Sequence, residues 1–227
     1  MAEISINEVV KALDNIEVNT QSSIRIKSDV TVYFDPFQIK EERHDADYIL
    51  ITHDHYDHLD LESIKKLIKE NDTIIITPDS ALKEIHSIYD GLILPASPVE
   101  YYNFDHIYID CIPAYNINKP YHLEENNWVG YLVQINNGIT YYIAGDTDVI
   151  PEMDDINCNV AFVPIGGKFT MDVNEAAELM RKLKPQVVIP THYGSIVGNK
   201  NDGKKLKELL SDTDIMVVEK LWNIMIY

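Results

Sequence analysis

Cysteine is scarce in this sequence, and long apolar runs are absent. The two cysteines, Cys111 and Cys158, each lie in or beside an apolar stretch, so we expect both to be core residues rather than a disulfide pair. No apolar run reaches the roughly 18 residues that a membrane-spanning helix requires. Residues 1–10 carry acidic side chains and no basic start, which is not typical of a secretory signal. These features predict a cytoplasmic protein.

Basic residues are also few. The chain has 19 lysines and arginines against 37 aspartates and glutamates, which gives a formal net charge of −18. Such a field repels phosphate backbones and anionic lipids. It therefore argues against nucleic-acid binding and membrane adhesion, and it favours a small-molecule substrate as the partner. The sequence does not define an oligomeric state, and a homo-oligomer is compatible with it.

Apolar periodicity predicts alternating strands and helices along one domain of residues 1–227. Strands are predicted at 23–26, 30–34, 48–52, 74–77, 107–112, 129–135, 139–144, 160–163, 187–189 and 215–218. Helices are predicted at 61–69, 80–88, 172–183 and 204–210. The turn Asn136-Asn137-Gly138 favours a hairpin, because Asn and Gly tolerate positive φ. The pattern fits two packed sheets flanked by helices, although other α/β arrangements also match it.

The most informative segment is the run His53-Asp54-His55-Tyr56-Asp57-His58. It follows the apolar residues 48–52, which we predict to be a buried strand. Imidazole nitrogens and carboxylate oxygens are common ligands of zinc and similar metals. The density of these groups at a strand end predicts a metal site, and a polar loop with incidental histidines is the alternative interpretation.

The spacing within this run indicates how the ligands would be shared. Just past a strand, side chains two residues apart still point the same way, so His53 and His55 can converge on one ion. Asp57 and His58 follow as the chain bends, and they can reach a second ion about 3.5–4 Å from the first. Helical signals resume after Asp60, which we predict to be an N-cap. The ligands therefore lie on a tight loop between two rigid elements.

This motif resembles the hallmark of the metallo-β-lactamase superfamily, His-x-His-x-Asp-His after a strand. Other segments resemble family motifs in the family's order, namely 33–36 (Tyr-Phe-Asp-Pro), 144–148 (Ala-Gly-Asp-Thr-Asp) and 190–194 (Pro-Thr-His-Tyr-Gly). Residues 164–171 (Pro-Ile-Gly-Gly-Lys-Phe-Thr-Met) resemble the branch that includes ascorbate-phosphate lactonase and small metal-dependent hydrolases. The resemblance runs from about residue 24 to residue 193, and it implies an α/β fold, the four-layer αββα sandwich.

The resemblance also implies roles outside the first motif. Asp146 is expected to bridge two cations, with a turn aspartate as the alternative, and His192 is expected to be a metal ligand. Asp35 is expected to orient a ligand histidine, as carboxylates commonly do, or to end a strand before a turn. Lys168 and Tyr193 adjoin motif residues and are candidates for substrate contact.

Several other polar residues match no motif role. Asp148 and Glu152 are better explained as parts of a solvated loop than as site residues. His44, His86 and His106 are expected to be surface or capping residues.

One position departs from the family pattern. Most members place a third histidine for the first metal in a phrase like Pro-Ala-x-His, whereas here Asn116 follows Pro113-Ala114-Tyr115. An amide oxygen is a poorer zinc ligand than an imidazole. His122, on a polar and turn-rich loop, is the candidate replacement. Alternatively the first site is weak, holds a harder metal such as Mn²⁺, or is empty.

The expected chemistry follows from the ions. A divalent metal lowers the pKa of its water from about 15.7 toward ~7, so the predicted nucleophile is a metal-bound hydroxide, with Asp57 as the catalytic acceptor of the water's proton. We predict a metal-dependent hydrolase with one or two zinc ions that cleaves a small ester, lactone or phosphoester. The alternatives are a nuclease or phosphodiesterase on RNA and a non-catalytic metal-binding regulator. A redox role ranks lower, because diiron relatives carry a glutamate where this motif has Asp54-His55.

Overall fold

The computed structural model describes residues 4–70, 72–136 and 138–220, and the strands of these residues form two sheets. The first sheet is six-stranded, in the order β1 (Ile16–Val18), β2 (Ile24–Lys27), β3 (Thr31–Phe34), β4 (Tyr48–Leu50), β5 (Ile74–Thr77) and β6 (Ile93–Pro95). The second is seven-stranded, and from edge to edge it contains β7 (Tyr101–Phe104), β8 (Ile107–Pro113), β9 (Val129–Ile135), β10 (Thr140–Ile143), β11 (Val160–Pro164), β12 (Val187–Thr191) and β13 (Met216–Val217).

The helices are short, with 5 to 11 residues each. Over the same described residues the α-helices are α1 (Ile6–Ala12), α2 (Leu61–Lys65), α3 (Leu82–His86), α4 (Val173–Leu183) and α5 (Asp202–Leu209). Single 3-10 turns lie at Leu13–Asn15, Asp79–Ala81, Glu124–Asn126 and Pro151–Asp155. None of the helices in the described ranges is long and apolar enough to cross a membrane.

Three buried clusters hold the layers together. The largest lies between the two sheets and joins side chains such as Phe34 of β3 to Tyr131 of β9. A second packs the outer face of the first sheet against α2 and α3, with Ile64 and Ile85 at its centre. A third packs the second sheet against α4 and α5. This order of helix, sheet, sheet and helix confirms the expected four-layer αββα sandwich.

Parallel pairing brings the chemically interesting strand ends to the same edge. β3, β4 and β5 run parallel, and so do β10, β11 and β12. The carboxyl ends of parallel neighbours lie on one edge of a sheet. Asp35 follows β3, the histidine motif follows β4, Asp146 follows β10 and His192 follows β12.

Local sequence signals explain several elements. The predicted hairpin of residues 23–26 and 30–34 is confirmed as the antiparallel pair β2 and β3. The predicted helix at 172–183 is confirmed as α4, where Asp172 and Glu175 form a capping box. It ends with Lys184 in a left-handed conformation, just before Pro185. The hairpin of β9 and β10 is also formed, although Asn137 of its turn lies outside the described residues.

Other boundaries differ from the prediction. The helix predicted at 61–69 ends at Lys65, because the Lys66 carbonyl accepts from Arg43 and His44 and Ile68 forms a β-bridge with Ala46. The helix predicted at 80–88 is a 3-10 turn followed by α3, and the helix predicted at 204–210 is α5, two residues earlier at its start. Helix α1 and strands β1, β6 and β7 were not predicted, since the strands are short edge segments without clear alternation. Both cysteines are buried and unpaired, as expected.

Candidate metal centre

The candidate site lies on the turn that follows β4. The apolar strand carries the chain into the interior, and residues 53–58 then fold into a tight turn in which the His55 carbonyl accepts the backbone N–H of His58 at 2.9 Å. Asp60 ends the turn as the N-cap of α2, accepting from the N–H groups of Glu62 and Ser63. The motif is thus fixed at both ends, as its position between a strand and a helix predicts.

One group of side chains gathers His53, His55 and His122. One ring nitrogen from each lies within 4.8 Å of the others. Nε2 of His53 lies 3.1 Å from Nδ1 of His55. The indole of Trp128 lies over this group, with its ring centroid 4.9 Å from the rings of both His53 and His55. Three imidazoles at this spacing are a suitable donor set for a divalent cation.

A second group gathers Asp57, His58 and His192, again with ligand atoms within 4.8 Å of one another. Oδ2 of Asp57 lies 3.4 Å from Nε2 of His192 and 3.8 Å from Nε2 of His58. Nearby, Gly166 permits the close approach of the next loop, because a Cβ there would lie 2.5 Å from the His192 carbonyl oxygen. This contact gives a physical reason for the glycine in the Pro-Ile-Gly-Gly segment.

Asp146 lies between the two groups. Its Oδ1 is 3.4 Å from Nε2 of His58, while its Oδ2 is 3.1 Å from Nε2 of His192 and 3.4 Å from Nε2 of His122. Gly145 precedes it with φ +68°, and a Cβ there would lie 3.1 Å from the Val129 carbonyl oxygen. Glycine therefore lets the backbone bring this carboxylate into the centre of the site.

Asn116 and His122 are the two candidates for the position of the missing third histidine, and the structure places them differently. The Asn116 amide holds the loop, because its Nδ2 donates to the carbonyl oxygens of Phe169 at 2.6 Å and Tyr121 at 3.1 Å and lies 3.3 Å from Nδ1 of His122. His122 instead points inward and joins His53 and His55. Of the two candidates, the structure brings His122 into the donor group and gives Asn116 a role in holding the loop.

Asp35 holds residues of the motif in place through buried hydrogen bonds. It is fully buried, its Oδ2 lies 2.7 Å from Nδ1 of His58, and it accepts from both the N–H and the hydroxyl of Thr52. The Thr52 hydroxyl also lies 2.9 Å from Nδ1 of His53. These contacts hold the outer nitrogens of two histidines and leave their Nε2 atoms facing the cluster.

The carboxylates and imidazoles of the cluster shift one another's pKa values. Burial opposes ionisation of Asp146, but the positive charges of His192 and His58 hold the pKa of its carboxyl well below its usual range. Burial likewise opposes the charge on His192, but Asp146 and Asp57 raise the pKa of that imidazole to about 9. Burial and the neighbouring imidazole of His58 lower the pKa of His53 well below its usual range. The site therefore combines ionised carboxylates and a neutral His53, which bind cations, with a protonated His192, which would release its proton on binding a metal.

Several buried polar atoms in the cluster have no hydrogen-bond partner. Those facing its centre are Nε2 of His58, Nε2 of His122, Nε2 of His192 and Oδ1 of Asp146. Buried polar groups in proteins are almost always hydrogen-bonded, so a convergent set of exceptions calls for a bound species. The residues present therefore fit a metal centre, because divalent cations held by the two donor groups would satisfy these atoms.

Two interpretations from the sequence are corrected. Tyr193 is not available for substrate contact, since it is 1% exposed, packs in the cluster between the second sheet and α4, and donates its hydroxyl to Glu219. Asp148 is not in a solvated loop, since it is 6% exposed and paired with Lys119. Glu152 is exposed, as expected.

Lys168, the other candidate for substrate contact, is exposed. Its ammonium lies 4.6 Å from the centroid of the Phe169 ring. The Phe169 carbonyl braces Asn116, so this lysine lies on a loop that adjoins the site.

Sequence reasoning missed two residues of the site. Gln21 is buried with φ +49°, and its Nε2 donates to Oδ2 of Asp57 while its carbonyl accepts the N–H of His192. It lies in a Thr-Gln-Ser-Ser loop with no periodic or motif signal. Trp128 covers the three-histidine group, and nothing in the sequence distinguished it from a core tryptophan.

A family model, related sequences and solved structures each match this chain over most of its length. Residues 15–192 match the family model described as "Beta-lactamase superfamily domain". A UPF0173 metal-dependent hydrolase from Pyrococcus horikoshii is 31% identical over 186 residues, which cover 79% of this chain and 81% of that protein. One from Thermoplasma volcanium is 31% identical over 205 residues, covering 85% of this chain and 89% of its own. Among solved structures, a candidate metal-dependent hydrolase from Parabacteroides distasonis has a TM-score of 0.76 at 30% identity, covering 90% of this chain and 91% of that chain.

The family model spans most of the chain, including the histidine motif and Asp146, and the two relatives cover 79% and 85% of it. The sandwich architecture agrees with the fold of the similar solved structure. The chain therefore belongs to the metallo-β-lactamase superfamily, among relatives that are named metal-dependent hydrolases.

Proposed function

We propose that this protein is a metal-dependent hydrolase that cleaves a small ester, lactone or phosphoester with one or two zinc ions. The observation that carries the proposal is the position of Asp146, between the His53, His55 and His122 group and the group that contains His58 and His192. A carboxylate placed between two donor groups suits a bridged pair of cations. The abundance of imidazole favours zinc, although Mn²⁺ or another divalent metal would use the same donors.

The chain's own residues would position the substrate and move the proton. When bound, the metal supplies an acidified water and polarises a carbonyl or phosphoryl oxygen. Oδ2 of Asp57 is the proposed proton acceptor, because the neighbouring imidazoles of His192 and His58 outweigh burial and lower the pKa of the Asp57 carboxyl, which favours its ionised form. The Gln21 amide, at 3.4 Å, fixes the orientation of the same oxygen. Asp35 orients His58, and Trp128 packs against the rings of His53 and His55.

The alternative functions are less well supported. The net charge of −18 opposes the binding of RNA, which weighs against a nuclease or phosphodiesterase. The regulator alternative depended on a first site weakened by Asn116, and the inward position of His122 supports a complete group of three imidazoles instead. We propose a small molecule as the substrate, with Lys168 as a contact at the rim of the site, and the cytoplasm as the place of reaction.

An activity screen tests this proposal. Protein stripped with a chelator and reloaded with zinc or Mn²⁺ is assayed with p-nitrophenyl acetate, a γ-lactone and bis-p-nitrophenyl phosphate, and with RNA as a comparison. We expect turnover of at least one small substrate that is lost on chelation and restored by metal. Asp57→Asn should lower kcat by about 10²–10⁴-fold, whereas Asp29→Asn, in an exposed turn, should have no effect. Full turnover by Asp57→Asn would refute the assigned role, and cleavage of RNA alone would favour the nuclease.

A further inference from the structure

His122 is carried by a loop rather than by a strand end. The loop, residues 116–122, follows β8, and four of its residues are exposed: Ile117, Asn118, Pro120 and Tyr121. The backbone N–H of Asn116 donates to the His122 carbonyl at 2.8 Å and closes the loop. His53 and His58, by contrast, are fixed by Thr52 and Asp35, which directly follow strands of the first sheet. The position of His122 therefore depends on whatever holds this loop against the second sheet.

Asp148 is one of the groups that hold it. Its Oδ2 accepts the backbone N–H of Ile117 at 2.9 Å, and its Oδ1 pairs with the ammonium of Lys119. Its own N–H donates to the Tyr115 carbonyl at 3.0 Å, at the start of the loop. Asp148 therefore contacts the loop through both its side chain and its backbone.

Lys119 extends this contact to a second loop. Besides pairing with Asp148, its Nζ donates to the Thr170 carbonyl at 2.8 Å. The side chains of Lys119 and Asp148 are 24% and 8% exposed, so the pair is largely shielded from water. An ion pair in this setting is costly to break one partner at a time, because the remaining charge is left without compensation.

Asp148 and Lys119 together form what we call the clamp. Asp148 shares a chain segment with Asp146. Asp146 and Asp148 both lie on the short stretch that follows β10, two residues apart. Asp146 faces His122 at 3.4 Å, whereas Asp148 holds the other end of the loop that delivers the same histidine. The residues that follow β10 therefore position Asp146 itself and, through Asp148, the loop that carries His122.

We propose that Asp148 and Lys119 are positioning residues for His122, so that the cation site of His53, His55 and His122 forms only when this clamp holds the loop closed. The inference rests on the proposed metal-dependent function. It assigns no contact between the clamp and the substrate. Supporting residues around metal ligands typically change metal affinity by about 10–100-fold when mutated.

Cobalt binding tests the clamp without an activity assay. Chelator-stripped wild-type protein and variants are titrated with Co²⁺, affinity is read from the visible absorption bands, and bound metal per chain is measured by elemental analysis. We expect Asp148→Asn and Lys119→Met to lower cobalt affinity at one site by about 10–100-fold, and His122→Ala to lower affinity at the same site. Lys119→Arg, which keeps the positive charge and the N–H donors, should retain most of the wild-type cobalt affinity. Glu152→Gln, on an exposed carboxylate bonded to Tyr115, is the matched control and should bind cobalt like wild type.

The outcomes separate this inference from the hydrolase proposal. Thermal unfolding of the metal-free proteins checks that each variant is folded, and if Asp148→Asn does not fold, the more exposed Lys119→Met carries the test. Wild-type affinity in a folded Lys119→Met protein would overturn the clamp and leave the hydrolase proposal standing. A wild-type protein that takes up no cobalt would overturn both.

Discussion

Oδ2 of Asp35 lies 2.7 Å from Nδ1 of His58, and both side chains are fully buried. This contact directs Nε2 of His58 toward Asp146, 3.4 Å away. Burial raises the pKa of Asp35, but the charge and hydrogen bond of His58 favour its ionised form. The pair thus fixes a histidine in the orientation that a metal ligand requires.

Asp35→Asn should weaken cation binding by about 10–100-fold, because an amide orients the imidazole less strongly than a carboxylate. The measurement is zinc affinity by competition with a chromophoric chelator. Glu62→Gln, an exposed carboxylate on α2, is the control and should keep wild-type affinity. Equal affinities of the two variants would contradict the orienting role.

Asn116→Asp should destabilise the loop that carries His122. The amide of Asn116 donates to two carbonyl oxygens, and an aspartate oxygen placed there would face both without a hydrogen to share. We expect the free energy of unfolding in urea to fall by about 1–3 kcal/mol. Asn118→Asp is a control in the same loop, since Asn118 is exposed and aspartate tolerates its left-handed backbone. If both variants unfold like wild type, the amide does not hold the loop.

Asp172→Ala should remove the cap of α4. The Asp172 carboxylate accepts the N–H groups of Asn174 at 2.7 Å and Glu175 at 2.9 Å. Loss of such a cap costs about 0.5–2 kcal/mol, measurable as a lower urea midpoint. Glu178→Ala, on the exposed face of the same helix, should change the midpoint little, and a similar loss in both variants would argue against the cap.

The cysteines should be unreactive in the folded protein. Burial raises the pKa of Cys111 to about 12, and nearby acidic groups contribute, while burial alone raises the pKa of Cys158 to about 12. Because the thiolate is the reactive form and both thiols stay protonated at pH 8, a disulfide reagent should titrate neither until a denaturant is added. Rapid reaction of two thiols in native protein would show that this packing is wrong.

The part of the site that the sequence predicted is the part encoded by local spacing. Four donors fall within residues 53–58 just after an apolar strand, and Asp146 and His192 each follow a strand of their own, so topology brings them together. His122 was predictable only as a substitute for a missing histidine. Gln21 and Asp148 act through contacts between distant segments, and Asp148 was misjudged because most aspartates after a strand lie in solvated turns.

Secondary structure, like the site, was predicted where the local sequence signal is strong and missed where it is weak. Helix α4 and the hairpin of β2 and β3 have strong local signals, and both were predicted. The edge strands β6 and β7 depend on neighbouring strands for their hydrogen bonds, so their sequences carry little information alone. Helix α1 had a readable signal, the Ser5 to Glu8 capping box, which the hydrophobic pattern did not reveal.

Anomalous diffraction at the zinc edge, on crystals of zinc-loaded protein, tests the central claim most directly. The account predicts strong peaks at about 2.0–2.2 Å from the histidine nitrogens and carboxylate oxygens, with one peak among His53, His55 and His122 or one among Asp57, His58 and His192, and Asp146 in contact with each occupied site. Zinc-loaded crystals with no anomalous peak within reach of Asp146 would contradict it.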